Sequence, residues 1–280
     1  MDRPAEYGYG LGRGAIIMII RRMAQFIRQH DWSAVVVEIL VVIVGLMLAF
    51  QLDRWWEARG ERVQEAEYVQ RLIGDIEGDI PDIEYGIQLA EVRLAMADLL
   101  MAVSVDTEVA LTRPMEFLSS VSQAAYTYTP ILASHTFDDL SSTGNMRLLL
   151  NLEIKDSLYD YYGYDENQLQ YRPLQFMTEQ RHFELAAGVL SNAQAVLVQD
   201  NLYIVTPGEF ETYDGPRVGD DEVLAAAQRL AANADLIAWL PEIRHLQVEQ
   251  VATHKARLDR AQILRQKLSD YSVSLSGAQQ

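Results

Sequence analysis

Cysteine is absent from the 280 residues, so disulfides, thiolate zinc sites, iron–sulfur clusters and cysteine nucleophiles are all excluded. A basic face is also missing: the formal net charge is -17, and the first 52 residues contain five Arg against four acids, which leaves about -18 on the rest. Phosphate binding needs basic surface, and nucleic acid is therefore not an expected partner. No Walker, Gly-x-Ser-x-Gly or His-Glu-x-x-His motif occurs.

A long apolar run is present near the N-terminus, where Glu38 is the only polar side chain between Ala34 and Phe50. Trp32 precedes this run and Trp55 and Trp56 follow it, and the helical rise from Trp32 to Trp55 is roughly 34 Å, close to the thickness of a bilayer. A signal peptidase requires small residues, whereas this run ends in bulky ones. The pattern predicts an uncleaved transmembrane helix over residues 32–56, with the three tryptophans as interfacial anchors.

The two sides of this helix differ in character. Residues 1–31 are predicted to form a tail with an interfacial amphipathic helix, because Ile16, Ile20 and Met23 recur at helical spacing opposite Arg21 and Arg22. A start at Met18 or Met23 is the alternative for this region. Residues 57–280 are predicted to form an acidic extramembrane domain.

Orientation rests on the arginines that flank the span. Arg21, Arg22 and Arg28 precede it, and Arg54, Arg59 and Arg62 follow it, so their numbers tie. Acids on the C-terminal side carry little weight in this rule, and the expectation is a cytoplasmic N-terminus with the acidic domain outside the cytoplasm.

The stretch EILVVIVGLMLAFQLDRWWE, followed by ERVQEAEYVQRLIGDIEGDI, resembles a bacterial membrane-protein family of unknown function. Its members pair a Glu-Ile-x-Leu-Val-Val-x-x-Gly span and a terminal Gln-x-(Asn/Asp)-x-Trp with a helical domain. TFDDLSSTGNMRLLLNLEIKDSLYDYY is similar to a second block of that family, so the likeness covers about residues 30–165. Trp56 stands where members often have a small polar residue. The resemblance implies one anchor and a mostly helical domain, and it brings no catalytic residues.

Helical periodicity dominates the domain and predicts an all-α fold. Apolar residues from Val69 to Met101 advance by threes and fours, with the intervening acids and arginines assigned to the outer face and a kink or break expected near Pro81. Asn151 is expected to cap a helix after a turn at Gly144, and Pro241 to lie in the first turn of the last helix. Residues 105–135 are expected to be loop-like at first, with short apolar stretches between the loop signals, and LYIV near residue 203 to be one edge of a small β-hairpin. Long helices near both chain ends are expected to lie side by side in an antiparallel bundle.

Two Glu-x-x-His pairs suggest a metal site, since Glu179 with His182 and Glu242 with His245 would each share a helix face as in di-iron bundles. Such pairs also arise by chance, and Pro241 puts the second at an expected helix start. Surface residues are the favoured interpretation, with no metal and no cofactor.

Two further sets are candidate interaction sites. Glu38 shares a helical face with the small residues Gly45 and Ala49, which predicts either close approach of a neighbouring helix or a carboxylate that reaches the headgroups. The second set is a tyrosine cluster that either packs between helices or forms a partner surface, namely Tyr159, Tyr161, Tyr162 and Tyr164.

These features favour a non-enzymatic anchored scaffold that binds a partner, through self-association or another membrane subunit. The alternative is an accessory subunit of an ion- or proton-driven membrane complex that uses Glu38, and a dimetal-carboxylate oxidase is a third hypothesis.

Overall fold

The computed structural model describes residues 32–202 and 208–277, together with the single residues 18 and 21. Of the residues that the structure describes, 84% are helical and none lies in a strand, which confirms the all-α prediction for this part of the chain. Two predictions lie outside the described residues, namely most of the amphipathic helix before residue 32 and the core of the hairpin at 203–207. The chain divides into two compact units, Met1–Glu61 and Arg62–Gln280.

The first helix, α1, runs from Trp32 to Val105 and contains the predicted transmembrane segment. One described helix is long and apolar enough to cross a membrane, with a mean hydropathy of 2.3 in its most apolar window. In the second unit, α1 continues through Pro81 without ending. Pro81 cannot donate to the carbonyl four residues earlier, but the packing of α1 on both sides keeps the helix intact.

Short helices follow α1. They are α2 (Val109–Thr112), α3 (Pro114–Gln123), α4 (His135–Ser142), a 3₁₀ turn (Asn145–Leu148), α5 (Leu152–Leu169), α6 (Arg172–Ala186), α7 (Asn192–Asn201), α8 (Glu209–Thr212) and α9 (Asp220–Ala231). The loop expected at the start of residues 105–135 is mostly helical, because α2 and α3 lie there, whereas residues 126–134 are in neither helix nor strand. Pro114 begins α3, where a missing N–H is tolerated.

The caps expected in this region are confirmed. Asn151 accepts hydrogen bonds from the backbone N–H groups of Glu153 and Ile154 at 2.9 and 3.3 Å, and it starts α5. Gly144 has φ +76°, a left-handed conformation that glycine adopts without strain.

The last helix, α10, spans Ala234–Gly277 and contains Pro241 seven residues after its start. The sequence interpretation had placed Pro241 in the first turn, and that was wrong: the helix begins earlier, where Asn233 accepts from the N–H of Leu236 at 3.0 Å. Glu242 and His245 therefore lie inside a helix and not at its start.

Helices α1 and α10 run in opposite directions past each other within the second unit. Side-chain contacts join them in reversed order along the two helices, among them Gln70 to Ser272 at 2.6 Å, Glu77 to Arg265 at 3.8 Å, Glu91 to Lys255 at 2.8 Å and Asp98 to Arg244 at 2.7 Å. These pairs are largely exposed, so we expect their main effect to be on register and only a small one on stability.

Two apolar cores hold this unit. One contains Val69, Leu72, Ile76 and Ile83 of α1 with residues of α5 and α10, and the other contains residues 96–103 of α1 with α3, α7 and α9. The predicted apolar stripe of α1 is mainly buried, as expected for a helix that packs along its whole length.

Candidate functional site

The predicted transmembrane face lies in the first unit. Glu38, Gly45 and Ala49 are exposed, and a Cβ atom built on Gly45 would meet no atom within 4 Å. Trp55 and Trp56 are also exposed and form an edge-to-face pair with ring centroids 5.2 Å apart, whereas Trp32 is the first residue of α1. The association face and the tryptophan anchors therefore remain predictions.

The predicted tyrosine cluster is divided between core and surface. Tyr161 and Tyr162 are buried, so these two do not form an exposed surface. Tyr159 is exposed, and Tyr164 is partly buried under Arg260, whose guanidinium lies 4.0 Å from the ring centroid. Phe137 stacks on Tyr162 at 4.4 Å, which is interhelix packing of the kind the sequence also allowed.

Both residues of the first Glu-x-x-His pair contact backbone groups elsewhere in the domain. Glu179 accepts a hydrogen bond from the N–H of Thr127 at 2.9 Å. His182 is fully buried with its Nε2 atom 3.1 Å from the carbonyl oxygen of Val121, and burial lowers the pKa of its imidazole.

The second pair lies on the surface, where His245 contacts Glu249 at 3.2 Å. Within the described part of the chain, no group of three or more His, Asp or Glu residues could hold a metal ion. The structure thus gives Glu179 and His182 contacts inside the protein, and it leaves Glu242 and His245 exposed.

A set of acids that the sequence interpretation had assigned to an outer face forms the main polar site. Asp75, Asp79 and Asp82 are spaced at i, i+4 and i+7 on α1 and therefore lie on one side of the helix. They face the connector, which we define as the non-helical residues 126–134 between α3 and α4. The prediction of an outer face was wrong for these three carboxylates.

Each of these carboxylates accepts a hydrogen bond from backbone in or beside the connector. Ile131 donates to Asp82 at 3.0 Å, Ala133 donates to Asp79 at 2.7 Å, and the N–H of Thr136 lies 3.4 Å from Asp75. A non-helical segment packed against a helix must find partners for its amide groups, and the carboxylates supply them.

Side chains of other helices also form hydrogen bonds with backbone groups in or beside the connector. The buried amide of Gln247 on α10 donates to the carbonyl oxygens of Ala124 and Tyr126, both at 3.0 Å. Tyr162 on α5 donates to the carbonyl of Ala133 at 3.0 Å. The connector is thus held by side chains from α1, α5, α6 and α10, and it joins helices that are far apart in sequence.

Asp79 is the most buried of the three acids, with 2% of its surface exposed, and it also accepts from the hydroxyl of Tyr161 at 2.8 Å. Burial raises the pKa of Asp79 above its usual value, although the hydrogen bonds from Ala133 and Tyr161 act in the opposite direction. Burial and the neighbouring carboxylate raise the pKa of the Tyr161 hydroxyl. For Tyr128, burial and the hydrogen bond to Asp82 raise the pKa to about 12.

A second buried polar group lies beside the connector on α10. Arg257 donates to Asp165 at 2.6 Å and to Nδ1 of His254 at 3.0 Å. Since arginine can only donate, Nδ1 accepts, and the neutral His254 ring carries its proton on Nε2. Burial and the positive charge of Arg257 lower the pKa of His254 to about 4.

Helix α1 approaches this group closely at Gly86. A Cβ atom at this position would lie 3.2 Å from the ring of Tyr128 and 3.4 Å from that of His254. The absence of a side chain therefore allows α1, the connector and α10 to meet at one point. Sequence periodicity alone did not indicate this role for a glycine inside a helix.

Comparison of the chain with models of known families, with curated proteins and with solved structures finds no match.

The buried role of Asp79 leads to a first prediction. Asp79→Ala leaves the N–H of Ala133 and the hydroxyl of Tyr161 without their partner, so we expect a loss of about 3 kcal/mol in the free energy of unfolding. Asp79→Asn keeps one acceptor oxygen and removes a buried charge, and its change should stay within about 1 kcal/mol. Urea unfolding of the full chain in detergent, followed by circular dichroism, measures both. Equal losses in the two variants would contradict this role, and exposed Asp259→Ala is the control.

The lowered pKa of His254 leads to a second prediction. Unfolded histidine titrates near 6.5, so the stability that His254 contributes is complete above that pH and is lost as the pH falls towards 4. The lowered pKa of buried His182 also makes the protein less stable as the pH falls, whereas the raised pKa of Asp79 makes it more stable as the pH falls. Comparison with His254→Gln isolates the first contribution.

Between pH 7.5 and 5, we expect the wild type to lose about 2 kcal/mol more unfolding free energy than His254→Gln. Urea titrations at the two pH values measure this difference. Identical pH dependence of the two proteins would show that His254 is not buried in its neutral form.

Proposed function

We propose that this chain is a single-span protein of the bacterial inner membrane whose acidic domain, an antiparallel helical bundle, binds a partner protein without catalysing a reaction. The observation that carries this proposal is the exposed apolar surface of α1. Its most apolar window has a mean hydropathy of 2.3 and no buried residue. A contiguous apolar surface of this size needs a cover, and over about seventeen residues of helix a bilayer supplies one.

Charge and family resemblance support the rest of the proposal. Arg59 places its guanidinium 5.7 Å from the ring centroid of Trp55, a combination suited to the headgroup region. The resemblance of residues 30–165 to a single-anchor family agrees with one crossing. In this proposal the N-terminus is cytoplasmic and the acidic domain is periplasmic.

The internal use of polar groups supports a binding role for the domain. Asp79 and His182, which are buried and have side chains capable of chemistry, contact the protein's own backbone, and buried Arg257 contacts the side chains of His254 and Asp165. Such contacts stabilise a defined surface, which is what a scaffold offers to a partner.

Glu38 favours a second candidate function, an accessory subunit of an ion- or proton-driven membrane complex. It is the only charged residue between Ala34 and Phe50, and carboxylates within a membrane segment often serve ion paths or helix contacts. Glu38→Gln separates this candidate from the first, because an amide still donates and accepts hydrogen bonds but does not carry a proton. Loss of ion-driven activity with unchanged assembly would favour the second candidate.

Topology supplies a third prediction. Alkaline phosphatase fused after Gln280 should be active in intact bacteria, because the enzyme folds only outside the cytoplasm and one uncleaved span would place it there. A green fluorescent protein fused at the same position is the matched reporter, because it reports a C-terminus that lies in the cytoplasm. Fluorescence without phosphatase activity would reverse the proposed orientation.

Association of the span supplies a fourth prediction. Gly45→Leu should weaken a helix contact on the face of Glu38, Gly45 and Ala49, because the added side chain keeps backbones apart. A hydrogen bond between membrane helices contributes about 0.6 to 2 kcal/mol, so separation of the backbones that removes one such contact should weaken association roughly 3- to 30-fold. Crosslinking of the full chain in membranes measures this effect.

Val44→Leu is the control for that experiment, since it adds bulk on another side of the same helix. Equal crosslinking of both variants and the wild type would exclude the small-residue face as a contact. Glu38 would then be assigned to the headgroup region.

A further inference from the structure

A groove with a volume of about 490 Å³ lies between α6 and α10 on the surface of the second unit. Tyr171 and Leu174 form its α6 side, and Glu242, Leu246 and Glu249 form its α10 side. The three α10 residues are spaced at i, i+4 and i+7 and therefore share one face of the helix. The side opposite α10 also contains the uncharged polar residues Gln168, Gln175 and Thr178, so it is uncharged and partly apolar, whereas the α10 side contains acids.

The apolar residues opposite α10 are uncovered in this chain: Tyr171 is 50% exposed and Leu174 is 61% exposed. Leu246 is 6% exposed and forms the floor of the groove. Leu169, Phe176 and Met177 are also exposed nearby in sequence, but they do not line the groove. Neighbouring exposed apolar side chains above an apolar floor are typical of interaction sites.

The acids on the α10 side favour an occupant with positive charge. Glu242 makes no ion pair with the described residues, and Glu249 contacts only His245 among them, at 3.2 Å. The residues that line the groove include two glutamates and neither Lys nor Arg. The whole chain after residue 52 carries about -18, so long-range attraction also favours a cation.

The dimensions of the groove suggest the shape of the occupant. Its α10 wall extends from Glu242 to Thr253, a helical rise of about 16 Å or three turns. A groove between two helices with an apolar floor accepts an amphipathic helix, which presents apolar residues every three or four positions.

We propose that the groove between α6 and α10 binds a basic amphipathic helix of a partner protein. Its apolar stripe packs on Tyr171, Leu174 and Leu246, and its Lys or Arg residues pair with Glu242 and Glu249. This inference rests on the proposed partner-binding function and names the chemistry of the partner.

The acids of the groove disfavour two other occupants. Anionic headgroups would be repelled by Glu242 and Glu249, although the apolar residues of α6 alone would suit a membrane. A second copy of the domain is itself strongly acidic and would meet the same repulsion. Both occupants are outcomes of the experiment below.

The test uses the full chain in phosphatidylcholine nanodiscs and a fluorescent 15-residue helical peptide of leucine and lysine. A leucine and glutamate peptide of the same pattern is the charge control, and empty nanodiscs measure binding to lipid. We expect the lysine peptide to bind the loaded nanodiscs more tightly than the empty ones. Glu242→Lys should weaken that binding about tenfold and Leu174→Ser about fivefold in fluorescence anisotropy.

Two matched variants control for net charge and for lost apolar surface. Asp259→Lys changes the same charge on α10 outside the groove, and Val273→Ser removes an exposed apolar residue from the same helix. Each should alter the dissociation constant less than about twofold at 0.15 M salt, where charges more than about 8 Å apart are screened. Equal weakening by Glu242→Lys and Asp259→Lys would overturn the proposal, as would comparable binding of the glutamate peptide.

Two further results would also overturn it. Flotation of the nanodiscs with phosphatidylglycerol vesicles, lost in Leu174→Ser, would assign the apolar residues to a membrane. Sedimentation showing a dimer that Glu242→Lys disrupts would assign the groove to a second copy.

The groove and the broader function can fail separately. If a protein that co-purifies with the wild type co-purifies equally with Glu242→Lys and Leu174→Ser, the groove proposal fails and partner binding stands. If the peptide binds as expected but no protein co-purifies from native membranes, the chemistry of the groove stands and the scaffold function fails.

Discussion

The second unit depends on one constraint: a non-helical connector must cross a helix without leaving its backbone groups unpaired. Residues 126–134 meet this constraint through side chains of α1, α5, α6 and α10, and Asp79 is the most buried of the α1 carboxylates that take part. An unpaired buried amide costs roughly 1 to 3 kcal/mol, comparable to a large part of the stability of a domain. The carboxylates of α1 therefore help to fix the positions of α3 and α4, which the connector joins.

Close approach of the helices follows from the same arrangement. Gly86 lets α1 reach the rings of Tyr128 and His254, and Arg257 then links His254 to Asp165 on α5. Apolar packing above and below this polar layer forms the two cores. The layer specifies which helices meet, whereas the cores supply most of the favourable free energy of burial. A domain held in this way presents fixed surfaces, including the groove between α6 and α10, and that property is consistent with a binding role.

Much of the helical content could be predicted from the sequence, because the apolar stripe of α1 and the cap at Asn151 are local signals. The partners of Asp75, Asp79 and Asp82 could not, since an acid on a helix is usually solvated and nothing near it in sequence indicates a connector fifty residues away. Tyr161 and Tyr162 posed the same problem, because tyrosine suits both core and surface. Pro241 was misplaced because proline favours the first turn of a helix, while packing of α10 tolerates it further inside. The groove was missed because it needs α6 and α10 side by side, which is a tertiary relation.

The central claim is that side-chain carboxylates hold the connector as firmly as secondary structure holds a helix. Amide hydrogen exchange of the full chain in detergent, resolved at Ile131 and Ala133, measures this directly. We expect both amides to exchange with protection close to that of buried α1 amides such as Leu72 and Ile76, although they lie outside any helix. Exchange at the rate of an unstructured peptide, with α1 still protected, would show that the carboxylates do not hold the connector.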